Sequence, residues 1–305
     1  MKEIIEKVLK ECYHYTDEGK VASYIPELAK ANPKEFGIYI KSKDGKDYYA
    51  GDFQKEFTMQ SVVKPMILLL ALMDKGKDAV RNLVGVESTG KPFDAFNYSD
   101  QALTRENINP MINTGAIALC TLINGADFDE KFLRLLDLTR KIADNPHLVV
   151  DENVYMSEKA TGNKNRALAY MLKAYGLIDV DTESVLDCYF KACSIKVTCK
   201  DLANIASTLA NKGKSLSTRE QLVHHEYTKY VNATLMTCGM YDGSGEFAVN
   251  VGIPAKSGVG GGIMAVVPDA MGIGIYSPAL DNKGNSVAGI KALEKLSDIL
   301  DLSIF

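Results

Sequence analysis

The sequence is poor in the residues on which metal and imidazole chemistry rest. It has four histidines, and His224 and His225 are adjacent, so on a helix they would point about 100° apart and not share a metal. Its six cysteines (Cys12, Cys120, Cys188, Cys193, Cys199 and Cys238) form no C-x-x-C pair, and Cys188, Cys193 and Cys199 lie close together without ligand spacing. This favours free thiols over a zinc site, and no metal or other cofactor is expected. No basic run exceeds a couple of residues, and the formal net charge is −4 with a pI near 5.7. That balance argues against nucleic acid or an anionic membrane as partner. The opening Met1-Lys2-Glu3-Ile4-Ile5-Glu6-Lys7 mixes charges where a signal peptide would place an apolar stretch. No segment reaches the ~20 apolar residues of a spanning helix. No internal repeat or low-complexity segment stands out. These absences point to a cytoplasmic protein acting on a small molecule.

What is present is an ordinary globular composition: 305 residues, 46% hydrophobic and 24% charged, enough for a substantial core. Lys2 to Tyr15 has helical character, and Gly19 to Pro26 leads into a second short helix ending near Pro33. Residues 35–41 alternate like a strand, Asp44-Gly45 marks a hairpin turn, and residues 47–52 return. From Ser61 to about Met240 the patterns are helical, for example over 129–143, 157–175, 182–193 and 199–211. Strand signals come back at 247–253, 262–267 and 271–276, before a last helix over about 285–300. Neither strand group can bury its apolar faces alone. The expectation is therefore a single α+β domain: one antiparallel sheet from both chain ends (about 1–60 and 242–305), flanked by helices, with a helical lobe (about 61–241) inserted. A cleft between the two is the natural pocket.

Chemistry enters at Gln60-Ser61-Val62-Val63-Lys64-Pro65. Ser61 and Lys64, three residues apart, share one helix face, and Pro65 fits a first turn, where N–H groups lack intrahelical partners. A serine there meets orphan N–H groups suited to an oxyanion, and a buried lysine beside it can act as base. A second S-x-x-K, Ser88-Thr89-Gly90-Lys91, lies in a Gly/Pro-punctuated loop that would not hold the pair on one face. Near the chain's end, Lys256-Ser257-Gly258 stands between strand signals. It supplies the third element of the serine β-lactamase and penicillin-binding group. Lys256 would add positive charge to the cleft, and the N–H near Val259 would complete an oxyanion hole begun by Ser61. The middle element is altered: Asn113-Thr114-Gly115-Ala116 follows Met111 and Ile112, with no serine to shuttle a proton. Tyr189 and Tyr241 are candidates for that task if a neighbouring cation lowers a phenol's pKa.

Five stretches carry a more specific resemblance: Gly19-Lys20-Val21-Ala22-Ser23-Tyr24-Ile25-Pro26-Glu27-Leu28-Ala29, Asn109-Pro110-Met111-Ile112-Asn113-Thr114-Gly115-Ala116, Cys193-Ser194-Ile195-Lys196-Val197-Thr198-Cys199, Met240-Tyr241-Asp242-Gly243-Ser244-Gly245 and Pro254-Ala255-Lys256-Ser257-Gly258-Val259. Together they closely resemble the serine-dependent glutaminases, over about Gly19 to Gly289. The resemblance implies a β-lactamase-like fold and hydrolysis of L-glutamine to L-glutamate and ammonia. It makes Ser61 the nucleophile, Lys64 its base and Tyr241 a proton-transfer partner. It also implies that Tyr24, Ser61, Asn113, Glu158, Asn165, Tyr189, Tyr241 and Val259 bind the substrate, with Lys256, Ser257 and Gly258 in support, and that the enzyme is a homodimer or homotetramer. Read without it, Glu158 looks like part of a solvated helix start. Animal members can carry N-terminal extensions and ankyrin repeats, and this sequence shows neither, so their phosphate activation is not carried over. The rival readings are a penicillin-recognising serine hydrolase, opposed by Met111-Ile112, and a non-catalytic amino-acid-binding module, opposed by the intact Ser61, Lys64 and Lys256.

Overall fold

Alternation along two central strands shows how the molecule is layered. The computed structural model describes residues 1–88 and 103–305; the second S-x-x-K copy runs from Ser88 out of the described residues. Helix α1 (Lys2–Cys12) precedes strands β1 (Gly37–Ser42), β2 (Asp47–Gly51) and the short β3 (Phe57–Thr58). Helices α2 (Lys64–Leu83), α3 (Asn113–Cys120), α4 (Phe128–Ala143), α5 (Glu152–Thr161), α6 (Asn163–Ala174) and α7 (Thr182–Cys193) follow. Then come β4 (Lys196–Val197), α8 (Cys199–Ala210), α9 (His225–Cys238), α10 (Ser244–Asn250), β5 (Ala255–Ser257), β6 (Gly262–Val267), β7 (Met271–Tyr276) and α11 (Val287–Leu300).

Five strands form one antiparallel sheet in the order β2-β1-β7-β6-β5. The front and rear of the chain meet where β1 pairs with β7, Gly37 opposite Tyr276, as the strand distribution predicted. Side chains alternate between faces. Ile263, Ala265, Val267, Ile273 and Ile275 join the core with α1 and α11, while Met264, Val266 and Tyr276 join the core with α8 and the helical middle. Both faces are thus buried, giving three layers. Helix α8 lies on β7 with almost no gap: a Cβ on Gly272 would meet Ala203 O at 2.2 Å, and one on Gly274 would meet Cys199 O at 2.0 Å. Only glycine permits that approach.

Three sequence expectations are corrected. Residues 247–250 are the second half of α10 and 251–253 lie just past its end, so no strand forms there. Phe247 and Val251, four apart, are buried while Val249 between them is 86% exposed, so the alternating apolar letters followed a helical period. The predicted helix over 157–175 is two helices broken at Gly162. A Cβ there would lie 2.5 Å from the Phe190 ring and 2.9 Å from Glu158 O, so α7 wedges into the joint. The short helix predicted towards Pro33 is one 3-10 turn, Leu28–Lys30. A two-residue strand, β4, pairs with β3 inside the helical middle; it is too short to leave a periodic signal. All six cysteines are free and buried, and no helix among the described residues is long and apolar enough to cross a membrane.

Candidate active site

Ser61 does not sit on a regular α-helix. Residues Gln60–Val63 form a 3-10 turn that runs into α2 at Lys64, with Pro65 in the first turn of α2. Ser61 thus occupies a helix beginning, where N–H groups have no intrahelical acceptor. The turn starts with Gln60 at φ 47°, a left-handed conformation disfavoured for a residue with a Cβ. The end of β5 presses against this turn from the other side. A Cβ on Gly258 would stand 2.7 Å from Met59 O, and one on Gly260 would stand 2.7 Å from Thr58 O. Those two glycines bring the Val259 backbone alongside Ser61.

Lys64 is fully buried. Its Nζ donates to Met111 O at 3.2 Å and to Asn113 Oδ1 at 2.6 Å. Asn113 Nδ2 in turn donates to Asn165 Oδ1 at 2.8 Å, and Tyr189 OH reaches Asn113 Oδ1 at 3.4 Å. Asn113 therefore links the lysine to α6 and α7. The altered residues Met111 and Ile112 contribute through the Met111 carbonyl, a backbone group that residue identity does not reveal.

A cavity of about 940 Å³ opens beside these groups, lined among others by Tyr24, Asn113, Glu158, Asn165 and Val259. Of the other residues singled out in the sequence, Ser61, Lys64, Tyr189, Tyr241 and Lys256 are buried and are not part of this lining. Lys64 connects to it through Asn113, and Tyr241 packs with Val259, Ala22, Ile25 and Leu280 in a small apolar cluster under the 20–28 segment. Tyr24 is half-exposed at the mouth. The break at Gly162 has a consequence here: it puts Glu158 and Asn165 on different helices, α5 and α6, both facing the cavity.

Glu158 is 5% exposed, and its Oε2 has no hydrogen-bond partner in the protein. Burial pushes its pKa up from 4.5 to about 8, against the downward pull of the neighbouring Gln60 side chain and of the Lys64 charge. A buried carboxyl in a cavity wall, with an oxygen left unbonded, is a candidate receptor for a cation. Gln60, not singled out in the sequence, is the missed member of the set. Nothing in its identity marks it: it lies next to Ser61, and its Nε2 donates to Thr58 Oγ1 at 3.3 Å and to Cys193 O at 3.5 Å.

Burial works against two electrostatic expectations. Burial pushes the Tyr241 phenol well above its ordinary pKa, outweighing the Ser61 side chain and the Val259 backbone, which pull it down. Burial likewise raises Tyr189. Neither phenol is a resting phenolate. Burial, reinforced by the charge of Lys64, drives the Lys256 amine well below its usual pKa. Lys256 Nζ lies 4.2 Å from the Tyr241 ring centroid and donates to Gly239 O and Ser257 O, at 2.9 and 2.6 Å. Burial thus opposes the charge of Lys256, while the two carbonyls and the ring face favour it. Ser257 turns to the opposite face of β5, the α1/α11 side, since it shares the parity of Ala255 and pairs with Ile263.

An antiparallel sheet with helices on both faces, and a serine–lysine turn abutting the end of an edge strand, define the β-lactamase-like fold. A family model described as Glutaminase matches residues 19–305. The chain is 52% identical over 305 residues to a glutaminase of Clostridium tetani, covering 100% of both, and 49% identical over 305 residues to Glutaminase 2 of Clostridium perfringens, again covering 100% of both. Among solved structures it resembles a probable glutaminase from Bacillus subtilis complexed with 6-diazo-5-oxo-L-norleucine. That match has 36% identity and a TM-score of 0.90, and covers 99% of this chain and 95% of that one. It also resembles the covalent complex of a Bacillus subtilis glutaminase with 5-oxo-L-norleucine, formed by reaction with the diazo compound, at 35% identity and TM-score 0.91, covering 100% and 99%. The chain belongs to the glutaminase family and is a hydrolase.

Proposed function

We propose that the protein hydrolyses L-glutamine through a γ-glutamyl ester on Ser61. The observation that carries this reading is the buried Glu158 carboxyl in the cavity wall beside Asn113 and Asn165, its Oε2 without a protein partner. Glutamine has an ammonium and a carboxylate at one end and a neutral amide at the other. Glu158 receives the ammonium. Asn165, its Oδ1 already engaged by Asn113, offers its amide donors to the carboxylate, with Tyr24 in the pocket wall and Tyr189 supporting Asn113 from behind. The amide carbon then lies at Ser61.

Lys64 takes the Ser61 proton as Oγ bonds to that carbon. The N–H groups of Ser61 and Val259 hold the oxyanion. Tyr241, kept protonated by burial, gives its proton to the departing nitrogen and regains one from Lys64, so that ammonia leaves. Water then adds to the ester as its proton passes to Lys64; the bond from the carbonyl carbon to Oγ breaks, Lys64 returns the proton to Oγ, and glutamate leaves. Ammonia release from glutamine and asparagine, beside the absorbance change of a chromogenic β-lactam, tests the substrate class; faster turnover of the β-lactam would overturn it. Intact-mass analysis after incubation with 6-diazo-5-oxo-L-norleucine tests the nucleophile. One adduct on wild type and none on Ser61→Ala is expected, and an adduct that survives the substitution removes Ser61 from that role.

A further inference from the structure

The turn that carries Tyr241 is held in a disfavoured backbone conformation by two buried side chains with no part in the chemistry above. Tyr241 sits at φ 53°, in the left-handed region that Cβ sterics oppose, and such residues persist only where their surroundings fix them. Ser244 accepts the Met240 N–H at 3.0 Å and donates its own hydroxyl proton to Tyr241 O at 2.9 Å. Asn285 Nδ2 donates to Met240 O at 3.2 Å, and the same carbonyl accepts the Gly243 N–H at 3.0 Å. Ser244 and Asn285 are 5% and 1% exposed, so water does not compete for these bonds. Asn285 is itself anchored: its N–H donates to Asp281 Oδ1 at 2.9 Å, and its carbonyl accepts the Asp281 N–H at 2.8 Å. Asp281 lines the cavity. The brace therefore joins the loop at the cavity mouth to the backbone of Tyr241.

We propose that Ser244 and Asn285 are positioning residues that fix the Tyr241 phenol against Ser61 for proton transfer. The proposal rests on the reading of Tyr241 as proton donor. A phenol oxygen stands at the end of a long lever, so a small backbone rotation moves it by roughly 1 Å, and misplacement on that scale can cost about 100-fold in rate. Substrate binding depends on Glu158, Asn113 and Asn165, none of which bonds to this turn, so the effect belongs in kcat.

The test is a kinetic cycle of Ser244→Ala and Tyr241→Phe, with thermal unfolding as a check on folding. Ser244→Ala is expected to lower kcat roughly 10- to 100-fold while KM and the Kd for glutamate stay within about threefold. In the Tyr241→Phe background the same substitution is expected to change kcat less than about twofold, because the group it positions is gone. A Ser244→Ala kcat within about twofold of wild type, or a loss that persists undiminished beside Tyr241→Phe, overturns the proposal. If Tyr241→Phe alone keeps wild-type kcat, the reading of Tyr241 falls and the proposal with it. A lowered Tyr241→Phe beside an unaffected Ser244→Ala sinks only the proposal. Should Ser244→Ala not fold, Asn285→Ala enters the same cycle and is read by the same criteria.

Discussion

Glu158 concentrates the residue-scale arguments, because one environment sets both its affinity for a cation and its titration. In the free enzyme its pKa is about 8, so near neutrality most of the carboxyl is protonated and ill suited to an ammonium. Raising the pH ionises it. Hence kcat/KM, which reports the free enzyme, should rise from pH 6 through about pH 8. In the complex, the substrate ammonium favours the carboxylate and draws the same titration to lower pH, so kcat should level off earlier. Glu158→Gln should lose the kcat/KM limb assigned to this residue and cost about 30- to 5000-fold in kcat/KM on glutamine, the scale for breaking one partner of a buried charge pair. An analogue without the α-amino group should lose little. Steady-state kinetics across pH decide the matter: a loss below about threefold would return Glu158 to a solvated helix start. At the nucleophile, Ser61→Ala should fold normally and fall by roughly 10⁴-fold or more in kcat. Activity within tenfold of wild type would rule out the acyl-serine route.

Among the elements, the decisive contact joins the end of β5 to the turn before α2. Gly258 permits it, since an added Cβ would stand 2.7 Å from Met59 O and 3.0 Å from Val62 Cγ2. Backbone cannot yield there as a flexible side chain would. Gly258→Ala should therefore push Val259 away from Ser61 and misplace one of the two oxyanion donors. Loss of one such donor costs about 10²- to 10³-fold in kcat in serine hydrolases. We expect a fall of that order with a smaller change in KM, measured on protein whose circular dichroism matches wild type. A kcat within twofold would show that the close approach is not what aligns the Val259 N–H. The broken helix works by similar steric logic: Phe190 of α7 occupies the space a Cβ at position 162 would need, and the joint aims Glu158 and Asn165 at one cavity.

For the molecule as a whole, the same buried carboxyl links function to stability. Its pKa is about 8 folded, against 4.5 as the ordinary value, so the folded state holds this proton more tightly than the unfolded chain does. The resulting stabilisation is fully present below about pH 4.5, declines as pH rises, and is gone above about pH 8. Between pH 4.5 and 7 the decline is on the order of 3 kcal/mol. Glu158→Gln cannot titrate, so its Tm in the absence of ligand should gain on that of wild type as the buffer moves from pH 5 to pH 8. Every other titrating group is common to both proteins, so thermal scans of the pair isolate this one. A difference that stays constant across the series would mean that the folded structure does not raise the Glu158 pKa.

Much of the architecture was legible in the sequence because period and punctuation are local. Residues 182–193, 262–267 and 271–276 carry their periodicity without competition, and the two strand groups required each other to bury their faces. The chain positions of Ser61, Lys64 and Lys256 were legible too, since S-x-x-K and Lys-Ser-Gly are written in residue identities. What only the tertiary structure decided depends on neighbours remote in sequence. Residues 247–253 have letters that fit either period, and packing under the sheet chose a helix as far as Asn250. The break at Gly162 is imposed by Phe190, 28 residues on. The Met111 carbonyl holds Lys64, and a carbonyl is common to every residue. The titration of Tyr241, Lys256 and Glu158 was beyond sequence reasoning for the same reason: a side chain's charge state depends on how much water the folded chain leaves around it.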